Sequence, residues 1–131
     1  MFDKAQLADR METELPFETV APTIEEKTAE AGFRVLAVHD VQETLAEKGF
    51  KRESLKIIEV CNAGFAHEAL GKDVDVAMFM PCKFVVYSEN GKTRVTLARP
   101  TMIAGMLPDA NLGELAEKVE KTLKQVMADS V

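Results

Sequence analysis

The dipeptide Asn90-Gly91 constrains this chain more than any other feature. It sits between two runs of alternating apolar residues, Cys82 to Glu89 and Lys92 to Ala98. A two-residue hairpin turn needs positive φ at both central positions, which Asn and Gly adopt with least strain. The register then follows. Glu89 faces Lys92, Val86 faces Val95 and Phe84 faces Leu97, and the four apolar side chains share the core face. Tyr87 with Arg94, and Val85 with Thr96, take the other face.

Helices are needed to cover such a hairpin, and the sequence marks several. Thr23-Ile24-Glu25-Glu26 and Asp40-Val41-Gln42-Glu43 have capping-box spacing, in which a hydroxyl or carboxylate and a Glu satisfy orphan amides reciprocally. Gly32 and Gly49 end the two helices, since glycine accepts the left-handed C-terminal conformation. Both exits spell Ala-Glu-x-Gly-Phe (Ala29 to Phe33, Ala46 to Phe50), an echo that shared helix-stop chemistry explains without duplication. Leu7, Met11 and Leu15 at four-residue spacing predict a helix over residues 2–14, stopped by Pro16. Phe17 to Ala21 reads as a short extended piece before Pro22. Phe33 to His39 reads as an interior strand because both its faces are apolar. Leu55 to Cys61 is a strand, Ala63 to Leu70 a short helix, and Val74 to Met80 another strand. Pro100 to Pro108 is an unusually apolar loop. Asn111 to Glu114 caps a last helix whose stripe is Leu112, Leu115, Val119, Leu123 and Val126, with Glu114–Lys118, Glu117–Lys121 and Glu120–Lys124 opposite.

This order predicts an α+β chain: a two-layer α/β sandwich with a mixed sheet, helices packed on one face and an amphipathic C-terminal helix. A single domain over 1–131 is expected, with 1–15 as an N-terminal helical segment. The hydrophobic share of 47% and charged share of 29% are those of a globular chain. A net charge of -6 argues against nucleic acid, whose phosphates require a dense basic footprint. No apolar run approaches a membrane span, and no signal peptide is visible, so a cytoplasmic location is expected.

Three runs carry a family resemblance. They are Gly32-Phe33-x-Val35-Leu36-x-x-His39-Asp40-Val41, Ile58-Glu59-Val60-Cys61-Asn62 and Met80-Pro81-Cys82-Lys83-Phe84-x-Val86-Tyr87. In this order they resemble the bacterial and archaeal family called Domain of Unknown Function 302, over residues 23–128. The family commonly reads Cys-Asn-Pro where this chain has Cys61-Asn62-Ala63, so the rigid proline helix start is missing here. The resemblance implies a compact α/β domain and a homodimer, and no established activity.

The stretch from Cys61 to Cys82 is the candidate site. Cys61 precedes a helix with Asn62 as its N-cap, where the helix dipole favours a thiolate. The competing reading is a small buried hydrophobe. Cys82 points inward with Phe84, and the hairpin register sets it opposite Arg99. His39 and Cys61 reach one sheet edge together if their strands run parallel, and Glu59 and His67 complete a pocket. The expected ligand-binding set is therefore His39, Glu59, Cys61, Asn62, His67 and Cys82, for a small-molecule ligand. A disulfide suits the cytoplasm poorly. Zinc would need a close ligand pair that the sequence lacks, so no metal and no cofactor is expected. The expected function is a small homodimeric binding or accessory domain without chemistry of its own. The alternative is a thiol-dependent redox or transferase protein with Cys61 as nucleophile, and no catalytic motif is recognised. A structural subunit is the third reading: Met102, Ile103, Met106 and Leu107 are apolar where a loop should be polar, and are expected to cover a second copy across a two-fold axis.

Overall fold

The computed structural model describes residues 3–131; the expected helix start at Phe2 lies outside them. In chain order the elements are α1 (Lys4–Leu7), β1 (Ala8–Thr13), α2 (Phe17–Glu30), β2 (Arg34–Asp40), α3 (Val41–Ala46), β3 (Leu55–Cys61) and α4 (Ala63–Lys72). A 3₁₀ segment (Val74–Phe79), β4 (Cys82–Glu89), β5 (Lys92–Ala98), α5 (Pro100–Met106), a 3₁₀ turn (Pro108–Ala110) and α6 (Gly113–Asp129) follow. The strands form one sheet in the order β1-β5-β4-β3-β2, with α2 and α6 across one face. This is the expected two-layer α+β sandwich.

The hairpin has the expected register throughout, from Glu89↔Lys92 to Phe84↔Leu97, and Asn90 and Gly91 take φ of 52° and 78°. Ile58, Val60, Phe84, Val86, Val95 and Leu97 are fully buried against Val20, Ala21 and Ile24 of α2 and the α6 stripe. On the opposite face Leu55, Ile57, Val85 and Tyr87 stay half-buried. No helix among the described residues is long and apolar enough to cross a membrane.

Several local expectations are corrected. The sheet is antiparallel throughout, not mixed. Residues 41–54 link β2 to β3, and β3 returns beside β2 antiparallel, His39 opposite Ile57. Residues 2–14 are not one helix: after the single turn of α1, residues 8–13 pair along β5, turning Asp9, Met11 and Thr13 toward the helices beside Leu97, Val95 and Thr93. The spacing of Leu7 and Met11 fits either period over so short a run.

Phe17 to Ala21 is the first part of α2, not a strand, and Pro22 lies inside that helix on its exposed side. There water can satisfy the carbonyl that the missing N–H leaves free. Thr23 is consequently mid-helix, and its Oγ1 donates to the Thr19 carbonyl at 2.7 Å instead of capping. Strand β2 is an edge strand, not an interior one. A bulge between Val35 and Ala37 leaves Leu36 51% and Val38 38% exposed. The run Val74 to Met80 is 3₁₀ and not extended, started by the Asp73 carboxylate, which accepts from the Asp75 amide at 2.9 Å. The apolar loop is helical, with Pro100 at the first position, where its missing N–H costs nothing. Its Ile103, Ala104 and Leu107 pack into the chain's own core.

Candidate functional site

Strand β3 ends at Cys61 and the chain turns at once into α4. Asn62 makes that turn possible: its Oδ1 accepts from the Phe65 amide and its Nδ2 donates to the Gly32 carbonyl, both at 3.0 Å. The cap ties α4 to the entry of β2 and sets Phe65 against Phe33, ring centroids 5.9 Å apart. Beyond the 3₁₀ segment the chain returns through a cis Met80-Pro81 bond to Cys82, which pairs with Val60. Helix α5 then crosses back over α6. Between these elements lies a cavity of about 100 Å³. Its floor is Val60, Cys61 and Cys82, its flank Phe65, Ala69 and Phe79, and its roof Ile103, Ala104 and Leu115. Of its lining side chains only Asn62 is strongly polar, and that group is already spent on the cap.

Cys61 and Cys82 are free thiols. Burial pushes the Cys82 thiol up from 9.0 to about 11, the neighbouring Cys61 adds to the rise and Lys83 opposes it. At neutral pH Cys82 is therefore a thiol. The cation expected opposite it, Arg99, is turned elsewhere, toward Glu120 and Asp9.

The cavity thus gathers Cys61, Asn62 and Cys82 from the expected set. It does not gather the others. His39 and Glu59 pair on the open sheet face, Nε2 to Oε1 at 2.5 Å. Because β2 and β3 are antiparallel, His39 lies opposite Ile57, while Cys61 lies opposite Arg34 at the other end of the ladder. His67 is exposed on α4 and does not line the cavity. The roof is not legible in the sequence, where Pro100 to Pro108 reads as a loop and not as α5. Nor is Glu120, which is 8% exposed and is not paired with Lys124. Its Oε1 accepts from the Thr101 amide at 3.2 Å and from the Thr101 hydroxyl at 2.7 Å, and its Oε2 accepts from Arg99 Nε at 3.4 Å. Glu120 therefore supplies the missing cap of α5 and fastens the roof to α6. Proline at the first helical position was the available signal for α5.

The family described as Domain of unknown function DUF302 matches residues 10–130. The chain belongs to the DUF302 family. A crystal structure of an uncharacterized conserved DUF302 protein from Bacillus stearothermophilus shares 34% identity and superposes with a TM-score of 0.91. The match covers 97% of this chain and all of that one (100%). Comparison with curated proteins found no match. The DUF302 fold is thus shared over nearly the whole chain with a solved relative.

Proposed function

We propose that this DUF302 protein is a small binding domain whose cavity takes an apolar group and performs no chemistry on it. The observation that carries the reading is the cavity wall, which offers carbon and sulfur and no uncommitted polar side chain. A cavity of about 100 Å³ is too small for a whole drug-sized ligand, for which roughly 300–1,000 Å³ is usual. It suits one ring or the end of an alkyl chain, with the remainder of the ligand outside. Apolar cavities of this order stay dry and bind small hydrocarbons. A nucleophilic role for Cys61 would need a base beside it, and neither the protonated Cys82 nor the exposed His67 supplies one.

The test is an NMR titration with toluene. Saturable shifts are expected for Phe33, Phe65 and Ile103, and Ala104→Leu, which fills the roof, should abolish them. Absence of saturable shifts in the wild type would refute the reading.

The homodimer belongs to the same proposal. Since Ile103 and Leu107 are used inside the chain, the surface that supports it is the uncovered sheet face with Leu55, Ile57, Val85 and Tyr87. Two such faces stack with their sheets about 10 Å apart. Unpaired thiols suit a reducing cytoplasm.

A further inference from the structure

We propose that the cavity takes the end of an unbranched alkyl chain whose head group is not an anion, and that the chain enters past Phe79 on the 3₁₀ segment Val74–Phe79. The proposal deepens the binding reading and rests on it, since the cavity must first admit an apolar group.

Three observations converge. The first is size. An apolar cavity of roughly 150 Å³ holds benzene. This one has about 100 Å³. A ring has to fit whole and spreads the walls, whereas an alkyl chain seats its last few carbons and leaves the rest outside. The second is the mouth. Among the residues lining the cavity Phe79 alone is exposed, at 36%. The roof is fastened by Glu120 and the floor is sheet. The wall at Phe79 is only a six-residue 3₁₀ run, which packs chiefly on α4 and whose hydrogen bonds are poorer than those of an α-helix. It is the wall that yields most easily. The third is the surface around that mouth. Residues three apart eclipse in a 3₁₀ helix, so Val76 and Phe79 share the row that faces the cavity. The other rows carry Val74 and Met78, 70% and 73% exposed, where a solvated segment would be polar. Half of the exposed large apolar residues among those described (Leu70, Val74, Met78, Phe79 and Met106) stand on α4, this segment and α5, which wall the cavity. A chain emerging past Phe79 therefore has carbon to lie on.

The charges decide the head. Asp73, which caps the segment, and Asp75 bring two carboxylates to its start. Against them stands the one ammonium of Lys72, which donates to the Asn111 carbonyl at 3.0 Å. An anionic head is repelled there.

The experiment is an NMR titration of the full-length protein with butanol, hexanol and octanol, read at Phe33 and Ile103. Affinity should rise by about two- to fourfold per added methylene, fourfold being the worth of one fully buried CH₂. Cyclohexanol should bind at least about fivefold more weakly than hexanol, the least that overfilling a packed site costs. Octanoate should bind about two- to fivefold more weakly than octanol. Val74→Ser combined with Met78→Ser, both on the surface, should weaken octanol by about fourfold and leave butanol, which fits inside, unchanged. Affinities that do not grow with chain length, or cyclohexanol binding as tightly as hexanol, would overturn the alkyl chain. Octanoate binding as tightly as octanol would overturn the head. Unchanged octanol affinity in the double variant would overturn the entry past Phe79, and loss of a dimer in the same variant would assign that surface to a second copy. Toluene separates the failures. If it binds saturably while the alcohols ignore chain length, the alkyl assignment alone falls; if nothing binds, the cavity reading falls with it.

Discussion

Arg99 and Glu120, twenty-one positions apart, meet with Nε and Oε2 at 3.4 Å, and the same carboxylate holds the amide and hydroxyl of Thr101. One buried side chain thus joins the end of β5, the start of α5 and the middle of α6. Replacing it leaves Arg99 partly buried without its partner and an orphan amide at Thr101. Glu120→Ala should therefore cost about 2–4 kcal/mol in urea unfolding, with Glu120→Gln intermediate because it retains an acceptor. A loss below 0.5 kcal/mol, the size of an ordinary surface change, would show that the contact holds nothing.

Cys82 predicts an alkaline weakness. Its pKa is raised in the folded chain, from 9.0 to about 11. Above pH 9 the unfolded chain ionises this thiol while the folded chain retains its proton, so the unfolded state gains. The contribution is complete below pH 9 and is lost as the pH rises through about 11, by at most about 3 kcal/mol. Unfolding free energies at pH 8 and pH 10.5 should differ less for Cys82→Ser, which cannot titrate there, than for the wild type. Equal alkaline losses in both proteins would remove the effect from Cys82.

Thr28 is fully buried in α2, and its Oγ1 has no hydrogen-bond partner among the described residues. Thr28→Val replaces that hydroxyl with a methyl of the same shape. A gain of about 1 kcal/mol is expected from chemical denaturation, since an unsatisfied buried hydroxyl is removed. A loss would mean that the hydroxyl is satisfied in solution.

The pair His39–Glu59 should matter little, although the sequence placed both residues in the site. The His39 side chain is 52% exposed. His39→Ala is expected to change stability by less than about 1 kcal/mol and to leave toluene binding as it was. A change in toluene affinity would tie the open sheet face to the cavity.

Assembly is tested on that open face. Ile57→Asp puts a charge among Leu55, Val85 and Tyr87, and sedimentation velocity should show a dimeric wild type and a monomeric variant. A wild type that is monomeric at micromolar concentration would end the dimer proposal.

The sequence was most legible where one local rule acts alone. Asn90-Gly91 fixed a whole ladder because positive φ at two adjacent residues has few other uses. Asn62 and Asp40 were readable as caps because their carboxamide and carboxylate oxygens accept from amides three residues on. The failures arose where a long-range partner decides. Residues 8–13 are a strand because β5 offers an edge, and nothing local says so. Pro22 survives in α2 because that side of the helix faces water. Of the candidate site, the Cys61-Asn62 turn and Cys82 were visible. The roof was not, because α5 is held by a glutamate from α6 that looked like one more surface charge. His39 was misplaced by assuming parallel strands.

The bulge in β2 has a consequence for life in a crowded solution. An outer strand with two exposed aliphatic side chains, Leu36 and Val38, is a template on which a stranger's backbone could zip. The extra residue between Val35 and Ala37 breaks the even spacing of amides and carbonyls and bends the strand away from flatness. A foreign segment can bond only a few residues before it falls out of step. Restoring an even spacing by deleting Leu36 would remove an apolar side chain and still make the protein more prone to aggregate.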